Sequence, residues 1–317
     1  MNFIAPAEFI MPKMPQYQSG YLVIESDDGN YGDYTHWYQK IKILAEKYSQ
    51  WANSKAVTCC FNINSGTIGK RGKLNLQQLM TIYNSGMEIM AHGRHHVGLG
   101  QLTLTRPAVS GDTKIYVGDL TNTGVQRNQE AGYIYTYRLY DENKEEIVTL
   151  TGYNTDENSL LVQPLNNSYA AGAKLQISAA SMEQLVQGCV NDLRAWGIET
   201  KNFTFPYHAG SYYDPYPEAV DYVSQWFDSC RGNYDNTNVL DSINWSNLAS
   251  MPIRVYTPFT MIDRLLDQTV NNNLLMIAFG HGETSDEIQS RLEYLIDGAM
   301  SRGIRILQRR DAYKLLR

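Results

Sequence analysis

The stretch YLVIESDDG, residues 21–29, decides how the rest of the chain is interpreted. It opens with an apolar run, which is typical of a buried strand. Two adjacent carboxylates, Asp27 and Asp28, follow the run, and Gly29 begins a segment typical of a turn. Barrel enzymes place their chemistry at the carboxyl ends of strands, so the pattern favours a functional site. The same letters also fit an Asp-Gly turn with solvated carboxylates, so the rest of the chain has to decide.

The flanking sequence alternates between strand and helix patterns. Strands are predicted at 20–26, 56–63 and 87–91, and helices at 34–54 and 74–85. This order implies parallel strands joined by helical crossovers. Residues 1–19 contain three prolines and are interpreted as an irregular N-terminal arm.

The pattern changes between residues 101 and 178, where no amphipathic helix is predicted. Short β-rich runs alternate there with turns of Gly, Asn and Asp, which predicts a small all-β module. From residue 181 the α/β rhythm returns. The later helices are predicted at 182–196, 217–225, 260–271 and 285–302, and the strands at 202–205, 226–231, 274–279 and 304–307. We therefore expect one α/β domain, residues 20–100 and 179–317, that carries the β module as an insertion.

Composition narrows the class of protein. The chain has 317 residues, 43% hydrophobic and 19% charged, as in ordinary globular proteins. A net charge of −6 without a basic run argues against nucleic acid as the main partner. No apolar run approaches the ~18 residues of a membrane span, and no signal-peptide pattern is visible. The four cysteines form no C-x-x-C pair, so buried reduced thiols are expected.

Tyrosine is unusually abundant, at 23 residues against 8 phenylalanines. Its flat apolar face and polar tip suit contacts with sugars or protein surfaces, although packing accounts for much of it.

Histidines cluster where predicted strands end. Five of the six follow a predicted strand: His92, His95, His96, His208 and His281. In a barrel of parallel strands these side chains would converge on Asp27 and Asp28.

The spacing of His92 and His96 indicates a metal site. Residues four apart share one face of a helical turn, so both imidazoles can bind one ion. A carboxylate would complete a set that leaves positions open for water and substrate. H-x-x-x-H pairs are common without a metal, but the upstream Asp-Asp favours a catalytic ion. Such ligands favour Zn²⁺, with Co²⁺, Mn²⁺, Ni²⁺ or Fe²⁺ as alternatives. His95 is expected to point away from the ion.

Four segments resemble the motifs of the NodB-type polysaccharide deacetylases, carbohydrate esterase family four. They are SDDG at 26–29, GMEIMAHGRHH at 86–96, FTFPY at 203–207 and LMIAFGH at 275–281, in the family's order. The resemblance implies an irregular (β/α) barrel, usually of seven strands. It also implies a metal-dependent hydrolase that removes acetyl groups from a cell-surface polysaccharide or peptidoglycan.

The resemblance implies a role for each matching residue. Asp27 corresponds to the catalytic base, and His281 corresponds to the general acid. The residues that correspond to the metal ligands are Asp28, His92 and His96. Tyr207 would donate its backbone N–H to the oxyanion that forms during hydrolysis.

Some positions depart from the family pattern. Thr204 stands where many members carry an Arg that steadies the catalytic Asp, and His208 replaces a glycine. Pro206, His208 and Arg231 are expected to contact substrate. His208 could instead cap a turn, and Arg231 could instead orient the site or form a buried ion pair.

The β-rich insertion weakly resembles small modules of phage tail and baseplate proteins. It predicts a virion-associated or cytoplasmically expressed enzyme that acts on extracellular glycan, with assembly into a virion or homo-oligomer through the module. A second hypothesis is a non-catalytic glycan-binding tail or adhesion protein on a degenerate scaffold, but a pure binder needs no open metal site. A third keeps the enzyme and makes it an O-acetyl esterase instead of an N-deacetylase.

Overall fold

A computed structural model describes residues 20–49, 57–120, 123, 125, 135–207, 217–234 and 237–317. The predicted N-terminal arm lies outside these ranges, and so does His208.

Seven parallel strands close into a barrel. In ring order they are β1 (Tyr21–Ser26), β2 (Cys60–Ile63), β3 (Glu88–Ala91), β10 (Asn202–Thr204), β11 (Ser229–Tyr234), β13 (Leu248–Pro252) and β14 (Leu274–Gly280). The ring closes because β14 pairs with the whole of β1, from Tyr21↔Leu275 to Ser26↔Gly280. Two short strands lie outside the ring: β12 (Asn238–Val239), antiparallel to β14, and β15 (Arg305–Leu307), parallel to β1. The predicted seven-stranded barrel is confirmed.

Side chains of the barrel strands alternate between two environments, because successive residues of a strand point to opposite faces. Leu22 and Ile24 join the large core between barrel and helices, whereas Val23 joins a smaller cluster inside the barrel. Glu25 and Asp27 continue the inward series. The barrel interior therefore changes from apolar to charged towards the carboxyl ends of the strands.

Helices surround the barrel, mostly where the periodicity predicts them. They are α1 (Gln39–Tyr48), α2 (Leu76–Asn84), α3 (Ala179–Ala195), α4 (Pro217–Ser224), α5 (Phe259–Asn271) and α6 (Asp286–Ser301). The predicted helix at 34–54 differs in detail, because a π-helix, Asp33–Tyr38, precedes α1. None of the helices in the described ranges is long and apolar enough to cross a membrane.

The sequence pattern does not predict the last helix, α7 (Arg309–Leu316). It closes the barrel at the amino ends of the strands. Ala312 packs into the interior cluster, and the backbone N–H of Arg310 donates to the Glu88 carboxylate at the start of β3 (3.0 Å). The helix thereby carries Arg309 into the barrel interior, where that side chain is fully buried.

The β-rich region forms a separate antiparallel sheet. Its strands are β4 (Gln101–Thr103), β5 (Lys114–Tyr116), β6 (Thr136–Tyr140), β7 (Glu145–Asn154), β8 (Ser159–Val162) and β9 (Lys174–Ile177), in the order β4-β9-β6-β7-β8-β5. A bridge between Leu104 and Val117 links the two edges of the sheet. Independent folding of this region stays a prediction.

The four cysteines, Cys59, Cys60, Cys189 and Cys230, are buried free thiols, as the sequence predicts.

Candidate active site

Asp28, His92 and His96 come together at the carboxyl end of the barrel. Their ligand atoms all lie within 4.8 Å of one another, and Asp28 Oδ1 is 3.3 Å from His92 Nε2 and 3.0 Å from His96 Nε2. These three are the residues predicted to bind a metal.

The chemistry of this cluster fits a bound cation. His92 Nδ1 lies 2.7 Å from the Thr204 carbonyl oxygen, which makes Nδ1 the protonated nitrogen and leaves a lone pair on Nε2. That lone pair faces Asp28 Oδ1, a buried oxygen that accepts no hydrogen bond. Two lone pairs at this separation repel each other unless a proton or a metal cation lies between them.

The pKa shifts of the candidate ligands also favour a bound cation. Burial alone would raise the pKa of Asp28, but His96 and His92 lower it well below its usual range. Burial lowers the pKa of His96, which favours the neutral imidazole that a metal requires.

Backbone strain is concentrated at this site. Among described residues other than Gly and Asn, positive φ occurs at Asp28 (80°), His96 (54°) and Tyr207 (56°). Such conformations cost on the order of 1–3 kcal/mol each and persist where the surrounding structure enforces them, often at functional sites. All three positions carry candidate site residues.

Asp27 lies beside the metal cluster and is held by buried donors. Arg231 Nη2 donates to both of its carboxylate oxygens (2.6 and 2.5 Å), and Asn62 Nδ2 donates to Oδ1 (2.7 Å). Burial would raise the pKa of Asp27, but the Arg231 charge, followed by His92 and His281, lowers it to about 2. Asp27 is therefore ionised at any ordinary pH.

Arg231 is fully buried, which differs from the substrate contact expected from the sequence. The alternative interpretation, a buried ion pair that orients the site, matches its position, because its guanidinium lies between Asp27 and Glu25. Its Nε is 2.9 Å from Glu25 Oε2.

A second buried arginine completes this network from the opposite end of the barrel. Arg309 Nη2 donates to both oxygens of Glu25 (2.6 Å each) and to Thr204 Oγ1 (2.7 Å). Thr204 Oγ1 in turn donates to Asn62 Oδ1 (2.8 Å). Within this network two arginines thus balance the carboxylates of Glu25 and Asp27, as buried charges require. Sequence reasoning missed Glu25, although a spacing of two from Asp27 places both on one face of the strand.

His281 lies after β14, partly exposed and close to Glu283. Its Nδ1 is 3.6 Å from Glu283 Oε1, and its backbone N–H donates to Glu283 Oε2 (2.7 Å). Partial desolvation lowers the pKa of His281, but Glu283 and then Asp27 and Asp28 raise it to about 9. His281 is therefore protonated at neutral pH. Glu283 was not singled out in the sequence.

Asp33 is a further buried acid that the sequence did not single out. Ser26 Oγ donates to its Oδ1 (2.5 Å), and Oδ2 accepts no hydrogen bond. Burial is the main reason that the pKa of Asp33 rises to about 8.

Tyr207 connects the metal cluster to a cavity between barrel and antiparallel sheet. Its ring centroid lies 4.4 Å from that of His96. The cavity is lined by Gly98, Gly100, Gln101, Leu102, Thr123, Val125, Tyr137, Leu175, Pro206 and Tyr207. Pro206 therefore borders a cavity beside the candidate site. His95 turns away from the site and pairs with the Tyr135 hydroxyl.

No family model and no curated protein sequence matches the chain. Several solved structures are similar in overall fold. A chitin deacetylase from the fungal pathogen Colletotrichum lindemuthianum is 14% identical, with 92% of this chain and 87% of that chain covered and a TM-score of 0.44. A family 4 acetyl xylan esterase from Clostridium thermocellum, in complex with a cobalt ion, is 11% identical (93% and 91% covered, TM-score 0.45). The peptidoglycan deacetylase PdaC from Bacillus subtilis is 9% identical (94% and 91% covered, TM-score 0.45).

Proposed function

We propose that the protein is a metal-dependent hydrolase that removes acetyl groups from a polysaccharide or peptidoglycan. The observation that carries the proposal is a two-histidine, one-carboxylate cluster with two further groups beside it: Asp27, held by Arg231, and His281, close to Glu283. A binding protein needs neither an open metal set nor an acid–base pair beside it.

Asp28, His92 and His96 would hold the ion. A bound divalent ion supplies Lewis acidity, which polarises an acetyl carbonyl and lowers the pKa of water from about 15.7 towards about 7. Zn²⁺ suits the ligand set, and Co²⁺, Mn²⁺, Ni²⁺ and Fe²⁺ are alternatives.

Asp27 serves as the general base, and His281 serves as the general acid. Asp27 accepts the proton of the attacking water, and Arg231 and Asn62 fix the carboxylate for this role. His281 donates a proton to the leaving amine or alcohol, which an amide nitrogen needs in order to leave. Tyr207 would offer its backbone N–H to the oxyanion.

The substrate class follows from the motif resemblance and the surroundings of the site. The cavity beside Tyr207 offers apolar and polar contacts next to the metal cluster, as substrate clefts do. The same chemistry cleaves N-acetyl and O-acetyl groups, so both belong to the proposal.

The test is acetate release from chitopentaose, peptidoglycan and acetylated xylan by Zn²⁺-loaded and EDTA-treated protein. Asp28→Asn should lose metal and activity together. Asp27→Asn should keep the metal and lose turnover by about 10²–10⁴-fold. Asp156→Asn, on an exposed hairpin turn of the antiparallel sheet, is the control and should change neither.

Two results would reject the proposal. One is equal metal content in wild type and Asp28→Asn. The other is retention of glycan binding with no acetate released from any substrate, which would favour the non-catalytic glycan-binding protein.

A further inference from the structure

Two exposed tyrosines lie in the segments that follow β1 and β13, one at the start of a helix and one in a turn. Tyr31 follows β1 and is 51% exposed, and Tyr256 follows β13 and is 69% exposed. Because β1 and β13 are the two barrel neighbours of β14, their loops border the His281 loop on opposite sides.

Hydrogen bonds tie both loops to the end of β14. Asn30 Nδ2 donates to the His281 carbonyl oxygen (2.9 Å), which fixes the residue before Tyr31. On the other side, the backbone N–H of Ile253 donates to the Phe279 carbonyl oxygen (2.8 Å). The segments that carry the two tyrosines are thereby fixed beside the segment that carries the proposed general acid.

The turn that carries Tyr256 is held at several points. Arg254 N–H donates to Thr257 Oγ1, and Thr257 N–H donates to the Arg254 carbonyl oxygen (2.9 Å each). Arg291 Nε donates to the Thr257 carbonyl oxygen (2.8 Å), so helix α6 anchors the turn. An aromatic ring exposed on an anchored turn loses little conformational freedom when it binds a ligand.

The chemistry of this turn suits a sugar ring. Arg254 Nη1 donates to the Tyr256 hydroxyl (2.9 Å), which orients the ring and keeps guanidinium N–H groups beside it. A pyranose has an apolar C–H face that can lie on an aromatic ring and a hydroxyl edge that accepts hydrogen bonds.

We propose that Tyr31 and Tyr256 form two sugar-binding subsites, one on each side of His281. The substrate is then a chain of pyranoses whose acetylated unit lies at the metal cluster with a neighbouring unit on each side. This inference rests on the proposed function and narrows it to polymeric glycans that lose acetyl groups from internal units.

The experiment compares substrates of different size. We measure acetate release by the Zn²⁺-loaded protein from N-acetylglucosamine, chitopentaose, acetylated xylopentaose and 4-nitrophenyl acetate. Wild type should prefer a pentamer to the monosaccharide. Tyr256→Ala and Tyr31→Ala should each raise the pentamer KM by about 3- to 10-fold, as expected for the loss of one aromatic contact. Neither variant should change the rate with 4-nitrophenyl acetate.

Trp226→Ala is the matched control. Trp226 is 55% exposed, but it precedes β11 and so lies at the opposite end of the barrel. Its removal should leave every KM unchanged. Tyr256→Phe keeps the ring and should keep the pentamer KM within about 2-fold, which separates stacking from the hydroxyl contact.

The outcomes separate this inference from the proposed function. Equal pentamer KM values in wild type, Tyr31→Ala and Tyr256→Ala would overturn the subsites while deacetylation stands. Hydrolysis of 4-nitrophenyl acetate but of neither pentamer would overturn them as well. If nothing is hydrolysed, the proposed function fails, and calorimetric binding of the two pentamers decides the subsites. Weaker binding by both alanine variants would then support them, and unchanged or undetectable binding would overturn them.

Discussion

Replacement of Arg231 by Met should destabilise the protein far more than an equivalent change at the surface. The change removes the cation that contacts both Asp27 and Glu25 inside the barrel. Glu25 keeps Arg309, but Asp27 is left as a buried carboxylate whose remaining side-chain donor, among the described residues, is Asn62. Removal of one partner from a buried ion pair typically costs about 3–5 kcal/mol. At about 2 °C per kcal/mol for a chain of this size, we expect the melting temperature to fall by roughly 6–10 °C.

The control is Arg302→Met. Arg302 also contacts two carboxylates, Asp267 at 2.7 Å and Asp263 at 2.9 Å, but its side chain is 25% exposed. Pairs of this kind contribute about 0–1 kcal/mol. Thermal unfolding of both variants, followed by circular dichroism with and without Zn²⁺, measures the difference. Equal losses of stability would refute the buried network as an important contribution.

The same variant should change the pH dependence of activity. Arg231 lowers the pKa of Asp27, so its loss should move the deprotonation of Asp27 to higher pH. In wild type, protonation of Asp27 should not lower the rate of acetate release at any pH above about 3. In Arg231→Met the rate should begin to fall at a higher pH as the solution is acidified. In Arg231→Lys, which keeps the positive charge, this shift should be smaller. An unchanged profile would show that Arg231 does not set the ionisation of Asp27.

Three further predictions concern other parts of the molecule. Glu283→Gln removes the carboxylate that raises the pKa of His281. The pH at which the rate falls on the basic side should therefore move from near 9 towards about 6.5. If that pH does not change, the basic fall in rate does not come from His281. The raised pKa of Asp33, about 8, means that the folded state binds an extra proton between about pH 4 and 8, so its stability falls as the pH rises through that window. The loss of folding stability between about pH 4 and 8 should be on the order of 5 kcal/mol, and Asp33→Asn should abolish it. Equal melting temperatures of variant and wild type, both at pH 5 and at pH 9, would contradict this prediction. Replacement of residues 101–178 by a Gly-Ser linker should leave a soluble, metal-binding barrel that hydrolyses 4-nitrophenyl acetate, and an insoluble product would assign the antiparallel sheet to the core.

The ends of most barrel strands could be predicted from sequence, because local patterns determine them. Strand β13 was missed, because its sequence LASMP has no β-branched residue and ends in proline. The apolar run of β1 and its terminal carboxylates fix where Asp27 and Asp28 lie. His92 and His96 do meet at one site, but residues 92–96 form a loop and not the helical turn that the spacing suggested. Helix α7 was missed because it is only eight residues long and one residue separates it from the end of β15. Its Arg309 reaches Glu25 across 284 positions of the chain, a contact that no local pattern encodes.

The position of Arg231 shows why a sequence motif confined to one strand can miss the residue that holds the candidate catalytic base. Thr204 occupies the place where many proteins with similar motifs carry an arginine. In this barrel β10 and β11 are parallel, and Thr204 is the direct register partner of Arg231. Side chains of register partners lie next to each other on the same face of a sheet, so a guanidinium can reach Asp27 from either strand. In this chain the guanidinium that holds Asp27 therefore comes from β11, at the same height in the barrel as Thr204 on β10. Thr204 is small enough to leave room for it and donates to Asn62, the other side chain that holds Asp27.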